Sequence, residues 1–114
     1  MLESDTRPWG RYEVLEEQPT HKIKRIWVLP GKQLSYQRHK LRAEHWFFIS
    51  GDGLAIIDGH EIAVQIGSTV DVAVGQLHRI RNTGADELIF IEIQTGSYFG
   101  EDDIERVEDD FGRV

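Results

Sequence analysis

Short runs of alternating or continuous apolar residues follow one another along this chain, and turn residues punctuate them. Residues 22–29, KIKRIWVL, are rich in β-branched and aromatic side chains and predict a strand that stops at Pro30-Gly31. Residues 88–94, LIFIEIQ, predict a second long strand. In a third, over residues 44–50, Glu44, Trp46 and Phe48 share one face and His45, Phe47 and Ile49 the other. Both faces carry apolar residues, so a covering layer is expected on each side. Shorter strands are expected over 9–17, 33–39, 54–57, 61–65, 69–74 and 78–81. Gln18-Pro19-Thr20, Gly51-Asp52-Gly53, Asp58-Gly59 and Gly75-Gln76 supply the turns between them. Turn signals spaced by roughly eight to twelve residues predict an all-β sandwich or barrel.

The ends differ from this pattern. Residues 1–8 are polar and read as a flexible lead-in to a barrel over 9–99. Residues 100–114 are acidic, and EDDIERV within them has the composition of one or two helical turns. Phe99, Ile104, Val107 and Phe111 predict that this segment docks on the barrel. A chain of 114 residues is expected to form one domain.

Composition narrows the function. There is no Cys, hence no disulfide and no thiol chemistry. No apolar run is long enough for a membrane span, and the first residues lack the basic and apolar regions of a signal peptide, so a cytoplasmic protein is expected. The net charge of −7 argues against nucleic acid as a partner. The charge is uneven. Residues 1–42 hold nine Lys/Arg against five Asp/Glu, and residues 43–114 hold four against fifteen. Arg25, Arg38, Lys40 and Arg42 lie in the basic part, which suits either a small anionic ligand or a solvated basic face.

The candidate chemistry sits between Gly31 and Gly51. Gln37 and His39 are two apart and share a face of an extended strand. Four residues separate His39 from Glu44, enough for a turn and a returning strand. His78, downstream between Gly67 and Asn82, is the fourth candidate. Two imidazoles and two oxygen donors without thiolate suit one divalent ion: Zn, Mn, Co, Ni or Fe. The plainer reading is a set of polar residues that hydrogen-bond to one another inside the barrel. His45 is expected to point away from Glu44 unless a bulge turns it inward. Glu92, within LIFIEIQ, is either a buried acid paired with Lys24 or Arg25, or a proton-transfer group. Arg79 and Tyr98 flank the expected mouth. His21 and His60 read as surface.

Gly31, His39, Glu44 and Gly51, followed by Gly67, Gly75, His78 and Asn82, resemble the two motifs of the cupin family in residue type and spacing. Gln37 replaces the first motif's usual His, and Ala73 replaces the second's usual Pro. The runs RPWG, LRAEHW and QTGSYFGEDDI are similar to the cupin domain of type II mannose-6-phosphate isomerases. That domain is also the C-terminal part of bifunctional isomerase/mannose-1-phosphate guanylyltransferases. The resemblance implies a single-domain double-stranded β-helix, or jelly-roll barrel, and metal-dependent interconversion of mannose 6-phosphate and fructose 6-phosphate. Metal ligation then falls to Gln37, His39, Glu44 and His78, proton transfer to Glu92 or His45, and substrate binding to Lys40, Arg42, Arg79 and Tyr98. The family usually carries His at the position of Leu41, which neither binds metal nor transfers a proton. Two alternatives remain: a metal cupin that binds a sugar or other small ligand without turnover, and a metal-dependent oxygenase using His39, His78 and Glu44. No glycine-rich nucleotide loop is present, so nucleotidyl transfer is not expected of this stretch. A homodimer is expected from the doubly apolar strand 44–50 and from Trp9, Trp27 and Trp46.

Overall fold

The computed structural model describes residues 2–112. Eleven strands and no helix are found among them: β1 (Ser4–Arg7), β2 (Gly10–Gln18), β3 (His21–Val28), β4 (Tyr36–Arg38), β5 (Arg42–Ser50), β6 (Gly53–Ile57), β7 (His60–Val64), β8 (Thr69–Val72), β9 (His78–Asn82), β10 (Leu88–Gly96) and β11 (Glu105–Glu108). They form two antiparallel sheets. One has the order β1-β2-β3-β10-β5-β8, the other β11-β4-β9-β6-β7. The all-β expectation is met.

Three expectations change. The stretch expected to be a flexible lead-in contains β1, which pairs with β2 from Ser4↔Glu13 to Arg7↔Gly10. Among its described residues the acidic C-terminal stretch forms no helix. It contains β11, which pairs with β4. Regular pairing over the expected strand 33–39 is confined to Tyr36–Arg38, with a single bridge from Gln33 to Arg81.

The middle of the large sheet explains where the site lies. β10 pairs with β3 on one side and β5 on the other, and paired residues share a face. Moving along the inward face, Ile26, Phe90 and Phe48 form one level, Lys24, Glu92 and Trp46 the next, and Lys22, Gln94 and Glu44 a third. The interior therefore has an apolar end and a polar end. At the apolar end Phe48 and Phe90 are fully buried and stack at 4.9 Å between ring centroids, and Trp46 lies 5.4 Å from Phe90. Burying each such ring contributes about 2–3 kcal/mol. Asn82 is buried at this end with its hydrogen bonds filled. Its amide donates to the carbonyls of Val28 and Asp86, and its Oδ1 accepts from Gly84 N. The small sheet faces this core with Ala55, Ile57, Val64 and Ile80.

The other face of β5 is not covered by the described residues: Phe47 remains 43% exposed, and His45 pairs with Asp71 of β8 at the surface. Beyond Phe111 and the partly buried Leu34, the strap after β10 is held chiefly by polar contacts. Arg38 donates twice to Glu105, and Arg79 donates to the Glu108 carboxylate.

Gly96 ends β10 opposite Arg42, with φ at +149°. A Cβ there would stand 2.2 Å from the Leu41 carbonyl oxygen, whereas one on Gly59 would meet open space at φ +81°. We expect Gly96→Ala to lower unfolding free energy by about 3 kcal/mol, combining a backbone clash with an unfavourable φ. Gly59→Ala should cost about 1 kcal/mol from φ alone. Urea denaturation of the two variants checks the difference, and equal costs would contradict the close approach at Gly96.

Candidate metal centre

His39, Glu44 and His78 come from three separated parts of the chain and meet at the polar end of the barrel. Glu44 points inward from β5, His78 inward from β9, and His39 follows β4 directly. All three are buried, with exposures of 3%, 4% and 2% for His39, Glu44 and His78. One donor atom from each lies within 4.8 Å of the others. His39 Nε2 stands 3.3 Å from Glu44 Oε2, and His78 Nε2 stands 3.8 Å from Glu44 Oε1.

The hydrogen bonds fix the chemical character of this cluster. His39 Nδ1 lies 2.6 Å from the Asp103 carbonyl oxygen, and His78 Nδ1 lies 3.0 Å from the Gln76 carbonyl oxygen. A carbonyl only accepts, so in each ring Nδ1 carries the proton. In its neutral form each ring then turns an Nε2 lone pair toward Glu44. This is the arrangement by which a backbone carbonyl sets the tautomer of a metal-binding His. Two lone pairs and a carboxylate facing one another repel unless a cation stands among them. Arg42 supplies part of that charge. It donates from Nε to Glu44 Oε2 at 2.9 Å and from Nη2 to His39 Nε2 at 3.2 Å. His78 Nε2, also buried, has no hydrogen-bond partner.

Glu44 is held on its other oxygen by Trp46 Nε1–H at 2.9 Å. Burial works to raise its pKa, but a proton on His78 or His39, together with the Arg42 guanidinium, more than reverses this and holds it well below the usual carboxylate range. Burial lowers the pKa of His78 and favours the neutral ring, although Glu44 opposes this. The donor set fits a divalent first-row ion: two imidazole Nε2 atoms, that of His78 buried and without a hydrogen-bond partner, and one carboxylate held ionised. Donors sharing one ion at about 2.1 Å lie no more than about 4.2 Å apart, so a modest contraction would suffice. Gln37 is paired in register with His78 and lines the neighbouring cavity.

That cavity, of about 100 Å³, lies beside the cluster and shares Arg42 with it. Trp9, Tyr12, Lys24, Gln37 and Glu92 contribute to its walls, and Glu101 and Arg106 come from the strap. Glu92 is buried and receives a hydrogen bond from Gln94 Nε2. Burial, with the negative charge of Glu44 adding to it, pushes the Glu92 pKa up to about 7, against the pull of Arg42 and Lys24. Glu101 titrates below its ordinary value: burial opposes this, but Lys24 and Arg42 prevail.

The structure thus brings together His39, Glu44 and His78, with Gln37, Arg42 and Glu92 on the adjoining cavity. It does not bring the other candidates there. His45 follows Glu44 on a strand with no bulge at that point, so its ring faces outward to Asp71. Lys40 is exposed beyond β4, and its backbone N–H donates to Asp103 Oδ1 at 3.0 Å. Arg79 is buried on the face of β9 opposite His78, donating to the Leu34 carbonyl at 2.9 Å. Tyr98 is 42% exposed and donates to Asp102, lining a separate groove with Glu17, Lys22 and Phe99. His21 pairs with Glu16 at the surface. Sequence reasoning named Lys24 only as a possible partner of Glu92 and not as a cation of this cavity, and it missed Trp46 as a partner of Glu44 and the strap residues Glu101, Asp103 and Arg106. Lys24 carried a signal, since Lys22, Lys24 and Ile26 share the face of one strand.

A family model described as "Mannose-6-phosphate isomerase C-terminal" matches residues 2–109. The chain belongs to this family. Among its relatives, the alginate biosynthesis protein AlgA of Pseudomonas syringae pv. tomato is 43% identical over 94% of the chain and 22% of its own length. A mannose-1-phosphate guanylyltransferase of Escherichia coli is 40% identical over 94% of the chain and 23% of its own length. The xanthan biosynthesis protein XanB of Xanthomonas campestris is 41% identical over 95% and 23%. The chain spans less than a quarter of the length of these curated relatives. Among solved structures, the capsular polysaccharide assembling protein CapF of Staphylococcus aureus superposes with a TM-score of 0.79 at 20% identity, covering 95% of this chain and 34% of that one. An oxalate decarboxylase of Lactobacillus farciminis gives 0.80 at 16% identity, covering 93% and 33%. At these identities the likeness shows the fold, and the fold is the cupin double-stranded β-helix. In this isomerase-family cupin domain no described helix is long and apolar enough to cross a membrane.

The raised Glu92 pKa has a consequence for stability. A carboxyl whose folded pKa of about 7 exceeds its ordinary value of 4.5 stabilises the fold fully below pH 4.5, and this contribution is lost as pH rises through 7. Relative to Glu92→Gln, the wild type should lose up to about 3 kcal/mol across that interval. Urea unfolding of both proteins over this pH range reads the difference. Parallel pH profiles would show that Glu92 is ionised as readily as a surface acid.

Proposed function

We propose that this domain is a metal-dependent aldose–ketose isomerase that interconverts mannose 6-phosphate and fructose 6-phosphate. The observation that carries the reading is the convergence of the His39 and His78 Nε2 lone pairs on Glu44 beside a cationic cavity that contains Glu92. Family membership supports the substrate. The relatives named for alginate and xanthan biosynthesis support a role in supplying mannose-derived precursors for polysaccharides.

His39, Glu44 and His78 would hold the ion, with Gln37 as a neutral fourth donor. Bound there, a divalent ion supplies Lewis acidity to polarise the sugar carbonyl. The protein's own groups manage the proton. The Glu92 carboxylate takes the hydrogen from C2 of the open-chain aldose, and the electron pair moves to form the C1–C2 double bond as O1 gains a proton. The same carboxyl returns its proton to C1, O2 loses its proton, and the ketose results. A pKa near 7 suits a group that must both accept and release a proton at neutral pH. Arg42 ties the two regions together, since one guanidinium touches Glu44 and His39 and also lines the cavity.

One observation favours a second reading. Leu41, where the family usually has His, is 46% exposed on the loop that leads into β5. If that position contributes to turnover, the domain binds a sugar phosphate and a metal without reacting them. An oxygenase would use the same His39, Glu44 and His78 donors and would consume oxygen with iron. A homodimer through the open face of β5 around Phe47 is part of the proposal, and light scattering that shows only monomer would remove it.

Two measurements test the main reading. Equilibrium dialysis should find one equivalent of Co or Zn per chain, with His78→Ala weakening binding by at least about 100-fold. A coupled assay with mannose 6-phosphate should show turnover that His39→Ala abolishes and Glu92→Gln reduces by about 100-fold or more. Metal binding without turnover under any loading would leave the binding domain as the correct description.

A further inference from the structure

The cavity beside the metal cluster already holds one anionic group, and the protein supplies it. Lys24 Nζ lies 2.7 Å from Glu101 Oε1, and Arg42 Nη1 lies 3.7 Å from the same oxygen. Lys24 is buried, with its ammonium 4.5 Å from the centroid of the Tyr12 ring. Arg42 is 5% exposed, and its Nη1 has no hydrogen-bond partner because Glu101 is too distant to accept from it. Arg106 Nε, on the strap strand β11, is a second buried donor without a partner on a residue that lines the same cavity. One carboxylate oxygen therefore serves two cations incompletely, and a third cation lining the same space has a buried Nε without a partner. Buried guanidinium donors are seldom left unmade. A group with more oxygens and more charge would satisfy all three.

The charge balance points the same way. The cavity is lined by four cations, Arg7, Lys24, Arg42 and Arg106, against two acids, Glu92 and Glu101. The formal balance is +2 with Glu101 in place and would be +3 if its carboxylate withdrew. Glu101 itself is only partly enclosed: its side chain is 44% exposed, while its cationic partners are 7% and 4% exposed. It sits near the start of the strap that runs from β10 to β11, so it can withdraw without opening either sheet.

We propose that Lys24, Arg42 and Arg106 form the subsite for the phosphate of a phosphorylated sugar, and that Glu101 occupies this subsite as an internal stand-in which the phosphate displaces. This deepens the isomerase reading and rests on it for the identity of the sugar. The phosphate-binding role moves from the exposed Lys40 and the outward-facing Arg79 to cations inside the barrel. The placement gives Arg42 two tasks. Its Nε and Nη2 face the metal cluster and its Nη1 faces the phosphate, so a bound phosphate is registered against the reacting centre through one rigid planar group. The stand-in lowers apparent affinity by the fraction of molecules in which Glu101 is seated. In return it offsets part of the charge of two buried cations while the site is empty.

The test is titration of the full chain with inorganic phosphate at fixed ionic strength, read by calorimetry, without added metal. Glu101→Gln keeps the shape and removes the competing charge, and it should tighten phosphate binding by about tenfold. Lys24→Gln should weaken it by about tenfold or more. Glu105→Gln removes one acid from the same strap, where it pairs with Arg38 away from the cavity, and should leave the phosphate affinity unchanged. Equal tightening by Glu101→Gln and Glu105→Gln would reduce the effect to overall charge and overturn the proposal. So would unaltered or weaker binding in Glu101→Gln, or a wild type and variants that all ignore phosphate. Because the comparison of Glu101→Gln with Glu105→Gln decides the matter alone, a Lys24 variant that fails to fold does not rescue it. The isomerase reading fails separately. Phosphate binding that follows this order without turnover would leave the subsite standing and the isomerase reading refuted. Turnover with a mannose 6-phosphate KM unmoved by Glu101→Gln would do the reverse.

Discussion

A single buried negative charge, that of Glu44, organises the centre of this protein. A carboxylate removed from water is costly unless its oxygens are filled and its charge is answered. Arg42 answers the charge from two residues earlier on the same strand, and Trp46 fills the other oxygen from two residues later. The three side chains alternate with outward-facing Ala43 and His45, so the period of a β-strand places donor, acceptor and donor on one inward line. Trp46 also touches Phe90, Phe48 and the His78 ring. It couples the packing of the apolar end to the orientation of the polar one. Displacing Trp46 would open a cavity and also leave a buried carboxylate oxygen short of its donor.

The division of the barrel interior into an apolar floor and a polar chamber follows from the same strands. β3 and β10 change from apolar to polar inward residues at the same level, from Ile26 and Phe90 to Lys24 and Glu92, and β5 follows one level later, where Trp46 gives way to Glu44. A slip of one residue in any of these pairings would send the polar set to the outside and the apolar set to solvent. Register here is set by the floor and inherited by the site. The chamber accepts charge because cations and acids arrive as neighbours, Lys24 beside Glu92 on the adjacent strand and Arg42 near Glu101 of the strap.

Much of this was legible in the sequence. The apolar runs of KIKRIWVL and LIFIEIQ marked the two central neighbours of the large sheet, and the spacing from His39 to Glu44 and on to His78 marked the cluster. What was hidden has physical reasons. The lead-in and the tail lack apolar periodicity, because β1 and β11 lie at sheet edges and present mostly exposed side chains. Lys24, offered with Arg25 as a partner of Glu92, was not read as a cation of the cavity, because one strand does not reveal which of its faces is the inside. Arg79 and Tyr98 were near the mouth in sequence but point elsewhere, which only the pairing of β9 and the path of the strap decide. The role of Asp103 was invisible, because it acts on His39 through a backbone carbonyl, an atom every residue possesses.

That carbonyl sets an order of events during synthesis. Every inward residue of the floor has left the ribosome before residue 103, and the chain can close its apolar end while His39 still lacks the acceptor that fixes its ring. The segment between β10 and β11, made after every residue of the floor, is the part that fixes the tautomer of His39. Packing of the apolar end and orientation of the His39 ring are therefore separable steps, the second waiting on residue 103.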